Sequence, residues 1–144
     1  FALSLKSFKG YQMFSYPLVH LDFKHFFENL ASMLILTGIV YHIDIKEQKI
    51  NKVVIYTTLT IGLTTLIIFP TITIMGTSSI ILSLVGALAA YKNNFIKKQQ
   101  ILAIGLIAIL VKYLTSGNIP QFMLHTLGFF TGYMVINKKK RILK

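Results

Sequence analysis

The sequence predicts an all-α protein, a polytopic bundle of transmembrane helices spanning residues 1–144 as a single unit. Three observations carry that expectation. Hydrophobic residues make up 54% of the 144 positions and charged residues only 13%, where a soluble domain carries about a quarter charged. Mean hydropathy is +0.67. Apolar runs of helical length alternate with short polar or basic connectors, as in a chain that crosses a bilayer repeatedly.

Composition also excludes functions. A net charge of +11 would suit nucleic acid. The lysines, however, lie between apolar runs and at the C-terminus, where anionic headgroups and the positive-inside rule place them. Membrane lipids are therefore expected partners and nucleic acid is not. With no cysteine there is no disulfide, thiol nucleophile or zinc–thiolate site. No metal or other cofactor is expected: His25 with Glu28 lacks the second histidine of a zinc motif.

Taken in order, residues 1–21 are too polar to span and read as an interfacial loop, with Phe8, Tyr11, Phe14 and Tyr16 at headgroup level. Asp22 reads as an N-cap for a first span over residues 22–41, about 28 Å long. Residues 43–52 are charged and turn the chain. The second span covers 53–69 and stops at Pro70. The third runs over 78–91, the fourth over 101–114 after a polar loop, and the fifth over 119–136 after the Ser116-Gly117-Asn118 breakers. A basic tail, 137–144, ends the chain. The third and fourth runs are short for a core of about 30 Å. Either they extend into flanking polar residues, or they end below the surface inside protein.

Lysine and arginine set the topology. Lys46, Lys49, Lys52, Lys92, Lys97, Lys98 and the tail fall on one side; Lys6, Lys9, Lys24 and Lys112 fall on the other. The larger group is expected in the cytoplasm, with the C-terminus. An outside start without a signal peptide implies a helix before Phe1. The expected location is a bacterial plasma membrane.

This topology brings polar residues from three spans into one layer near the outer surface. The first span contributes His25 and Asn29, on one helix face at i and i+4. The third contributes Ser78, just after Gly76, and the fifth His125. Taken alone, Ser78 reads as a helix cap. His42 reads as an ordinary interfacial histidine and Glu28 as a solvated, helix-dipole charge. His125 shares a face with Gly128 and Gly132, a GxxxG pattern that permits close helix approach. The third span offers Ser78, Leu82, Gly86 and Ala90 as a matching stripe, which would set His125 beside Ser78. A histidine there can take the serine proton, as a dyad without an acid. The Asn29 amide, the His25 imidazole and the Ser78 backbone N–H are suitable donors to an oxyanion.

In these motifs the chain resembles the rhomboid family of intramembrane serine proteases. Residues 16–29 look like its paired-histidine and asparagine helix. Gly76-Thr77-Ser78 resembles the start of its GxSG motif, with Gly86-Ala87 following, and residues 125–132 are similar to its catalytic-histidine helix. The resemblance implies a rhomboid-like core of six helices, five visible here, with the first lying before Phe1. It implies Ser78 as nucleophile and His125 as base. It makes His25, Asn29 and Ser78 the oxyanion hole, and gives His20 a structural or hydrogen-bonding role. The implied substrates are transmembrane segments of other proteins. Two positions depart from the family pattern. Ser79 replaces the motif's last glycine and would crowd the backbone beside the nucleophile. Leu82 replaces an aromatic ring that packs on the catalytic histidine. These departures leave a second reading, a rhomboid-like pseudoprotease that binds membrane-protein clients without cutting them. A small transporter would instead need broken helices and charges at mid-membrane.

Overall fold

A computed structural model describes residues 1–92 and 97–137. Regular structure among the described residues is helical, apart from an isolated antiparallel bridge between Leu3 and Ile74. The all-α expectation holds. The basic tail beyond Asn137 lies outside the described residues.

The first segment is more ordered than the expected loop. It holds a short helix, α1 (Gln12–Ser15), between 3-10 turns at Leu5–Ser7 and Tyr16–Leu18. Leu3, Tyr16, Ile61 and Leu124 are buried together, and the Tyr16 hydroxyl donates to the Thr58 carbonyl at 3.2 Å. These contacts fasten the segment over one end of the bundle.

Five long helices follow. In α2 (Phe23–His42) the Asp22 carboxylate caps the first turn, accepting from the His25 N–H at 2.7 Å. α3 (Glu47–Ile68) begins earlier than expected, because the charged connector holds no helix breaker and Glu47 suits a first turn. It ends two residues before Pro70, as the restriction on the residue preceding proline requires. α4 (Ser78–Ala90) has only 13 residues, about 20 Å. α5 (Lys98–Ser116) closes at Gly117, whose φ of 60° is the left-handed cap that favours glycine. In α6 (Ile119–Asn137) the Asn118 side chain accepts from the Gln121 N–H at 3.0 Å, and Pro120 occupies the first turn.

The two explanations for short runs apply to different helices. α5 extends into flanking polar residues and, like α3, is long and apolar enough to cross a membrane. α4 stays short and is enclosed, with α2, α3, α5 and α6 all packing on it. Apolar side chains instead cover the bundle's outside: Leu34, Ile35, Ile67, Ile104, Leu114 and Met134 are all exposed. A surface of that kind suits lipid rather than water.

The closest packing joins α4 to α6. A Cβ on Gly128 would stand 2.5 Å from the Ser79 carbonyl oxygen. A Cβ on Gly132 would strike the Ser83 carbonyl, and one on Gly86 the Phe129 carbonyl. Small residues thus let backbone meet backbone. The expected stripe on α4 needs correcting. The face toward α6 runs through Ser79, Ser83 and Gly86, not Ser78, Leu82 and Ala90. With Ser79 and Ser83 against Gly128 and Gly132, the Ser78 side chain falls at the edge of the seam.

Candidate active site

The site assembles where α2, α4 and α6 begin. The α3–α4 connector delivers Gly76, whose φ of 92° is a conformation suited to glycine. Its N–H donates to the Tyr16 carbonyl at 2.9 Å, tying the connector to the N-terminal segment. A Cβ there would also lie 3.3 Å from His25 Nε2. Gly76 therefore makes the turn and leaves room for the histidine.

Ser78 does not act as a cap. The N-cap position belongs to Thr77, and Ser78 Oγ lies 2.9 Å from His125 Nε2. His125 is 3% exposed, at the edge of the α4–α6 seam, where Gly128 and Gly132 fix its height relative to α4. The first bond of the α4 ladder runs from the Ile81 N–H to the Thr77 carbonyl. The N–H groups of Ser78, Ser79 and Ile80 therefore have no acceptor within the helix.

Asn29 is buried, and its Nδ2 lies 3.2 Å from His25 Nε2. With the amide nitrogen facing the ring, Asn29 donates and His25 Nε2 accepts. Asn29 keeps a second N–H. In this arrangement His25 Nε2 orients the Asn29 amide. The ring of His20 packs edge-on against Phe26, with centroids 5.2 Å apart, and lies 5.7 Å from that of His25. Both His20 nitrogens are buried without a hydrogen-bond partner. Of its two expected roles, the structure shows packing.

Ser79 sits within α4, 8% exposed, with its Cβ toward Gly128. Among non-glycine described residues only Asp44 has a positive φ. The expected crowding beside Ser78 is thus absent, because Gly128 supplies the room. Leu82 lines a cavity of about 200 Å³ with Ser78 and His125. A larger cavity of about 580 Å³ opens over the same pair, reaching Tyr16, Ile72, Asn118 and Gln121. Sequence reasoning passed over Lys112, which lines both cavities, and Ser83, which is fully buried on the seam. The signal for Lys112 was a lone charge in an apolar span. Among the described residues no group of three metal-ligating side chains forms.

The arrangement offers a hydroxyl bonded to an imidazole, amide donors beside it, and hollow space above. Comparisons with curated proteins and with solved structures each gave no match. A family model, the Rhomboid domain, matches residues 7–139. That match spans nearly the whole chain, including every residue of the site, and the chain belongs to the rhomboid family, integral membrane proteins that are generally intramembrane proteases.

Proposed function

We propose that this protein is an intramembrane serine protease that cleaves transmembrane segments of other membrane proteins. The observation that carries this reading is the 2.9 Å contact between Ser78 Oγ and His125 Nε2. As Ser78 Oγ attacks the scissile carbonyl carbon, His125 Nε2 takes the hydroxyl proton. The carbonyl oxygen gains negative charge, which the free Asn29 N–H and the Ser78 backbone N–H stabilise. Collapse of the tetrahedral intermediate breaks the C–N bond, and His125 returns the proton to the departing amine. Water, deprotonated by His125, then cleaves the acyl ester and restores Ser78. His25 holds the Asn29 amide; it becomes a donor at Nε2 only if that contact opens.

We read residues 1–144 as one membrane domain, with 1–21 interfacial at the outer face. The site then lies just below that face and the C-terminus is cytoplasmic, as the lysine distribution indicates. The position of the location in a bacterial plasma membrane belongs to the same reading. The test is cleavage of a reporter transmembrane segment in vesicles by the native chain, Ser78→Ala and His125→Ala. Both variants should be inactive; full activity in either removes the dyad. One observation favours a second reading, a pseudoprotease that only binds clients: Leu82, not an aromatic ring, stands beside His125. It predicts client binding with no turnover by the native chain.

A further inference from the structure

Five residues line both cavities: His25, Glu28, Ser78, Lys112 and His125. They form the neck between the two spaces. The proposed chemistry uses His25, Ser78 and His125, leaving two charges of opposite sign. Glu28 is exposed on α2, whereas Lys112 is half-buried on α5, about one turn from its end. No hydrogen bond or ion pair joins the Lys112 ammonium to another described residue, yet it lies within electrostatic range of His125. An ammonium with no partner among the described residues, lining both cavities beside the Ser78–His125 pair, is placed to meet an anionic group that arrives from outside.

We propose that Lys112 selects substrates bearing an acidic side chain close to the bond that is cut, by pairing with that carboxylate as the segment passes the neck. The inference rests on the protease reading for the cut, though not for the pairing. A carboxylate carried within a membrane segment is costly alone, and pairing with the Lys112 ammonium at the neck relieves that cost. Glu28 opposes the preference, but its exposure lets water and salt screen it. Lys24 lines only the larger cavity and is exposed, so it contributes less than Lys112.

The experiment uses transmembrane reporters identical except for one residue, Asp, Asn or Lys, placed in turn at each position near the cleaved bond. In vesicles, kcat/KM for the Asp reporter is divided by that for the Asn reporter, within each variant. The ratio is independent of how much protein is folded. Binding of the same reporters to Ser78→Ala is measured alongside. At one or two adjacent positions the native ratio should be about five- to tenfold. It should fall to about one in Lys112→Gln. In Lys112→Glu the Lys reporter should become the favoured one, while Lys24→Gln keeps the native ratio. Equal cleavage and equal binding of all reporters would overturn the role of Lys112 and leave the protease reading standing. Charge-selective binding to both the native chain and Ser78→Ala, with no cleavage, would do the reverse. If Lys112 variants change all reporters alike, in step with the anionic lipid content of the vesicles, Lys112 meets lipid phosphate and the proposal falls.

Discussion

The α4–α6 seam and the α2–α5 side of the bundle are built in opposite ways. At the seam, glycine on one helix meets a backbone carbonyl of the other at three levels: Gly128 on Ser79, Phe129 on Gly86, and Gly132 on Ser83. A side chain added at any of these glycines would strike the facing backbone. α2, by contrast, packs mainly on α4, and shares no substantial contact with α5. The smaller cavity lies between them, lined from α2 by His25, Glu28 and Asn29 and from α5 by Ala108 and Lys112, while the larger one spreads over the ends of the helices toward Tyr16, Ile72 and Gln121. The tight half holds a hydroxyl and an imidazole in register; the loose half leaves hollow space beside them. Close packing and access, which conflict at any one place, are here assigned to different helix pairs.

The largest effects should come from the pair that the seam holds. Ser78→Ala and His125→Ala should each lower kcat/KM for a transmembrane reporter about 10⁴-fold or more, with unchanged thermal stability in detergent. Next is Asn29→Ala, on the α2 side. It should reduce kcat about 10²- to 10³-fold with little change in KM, since an oxyanion donor acts on the transition state. A rise in KM at constant kcat would instead make Asn29 a binding residue. Gly132→Val places a branched side chain against the Ser83 carbonyl and should destabilise the fold by about 2–3 kcal/mol, read as a lower melting temperature. The smallest effect belongs to Gly38 on α2, where an added Cβ meets nothing within 4 Å. Gly38→Ala should be neutral or stabilising by up to about 1 kcal/mol. If Gly38→Ala proved as damaging as Gly132→Val, the contrast between the two sides would not hold.

Much of this was legible in the sequence because helical periodicity and membrane crossing leave strong marks. The GxxxG of Gly128 and Gly132 announced a close helix partner. The alternation of spans alone puts Ser78, His125, His25 and Asn29 at one end. What escaped depended on phase and on partners. The α4 face was misassigned because a stripe of small residues can be drawn through either Ser78 or Ser79. Only the residues that Gly128 and Gly132 meet across the seam, Ser79 and Ser83, decide between them. The α1 turn and the Leu3–Ile74 bridge are too short for periodicity to reveal. The bond between His25 and Asn29 was hidden because i and i+4 side chains can either aim together at a ligand or bind each other. Ser79 looked disruptive only while its neighbour across the seam, Gly128, was unknown.

The central claim, that Ser78 is a nucleophile activated by His125, is tested most directly by labelling the native chain in vesicles with a fluorophosphonate and locating the adduct by mass spectrometry. The account predicts one modified residue, Ser78, and loss of labelling in His125→Ala. Modification of Ser79 instead, or labelling of Ser78 at the native rate without His125, would contradict it.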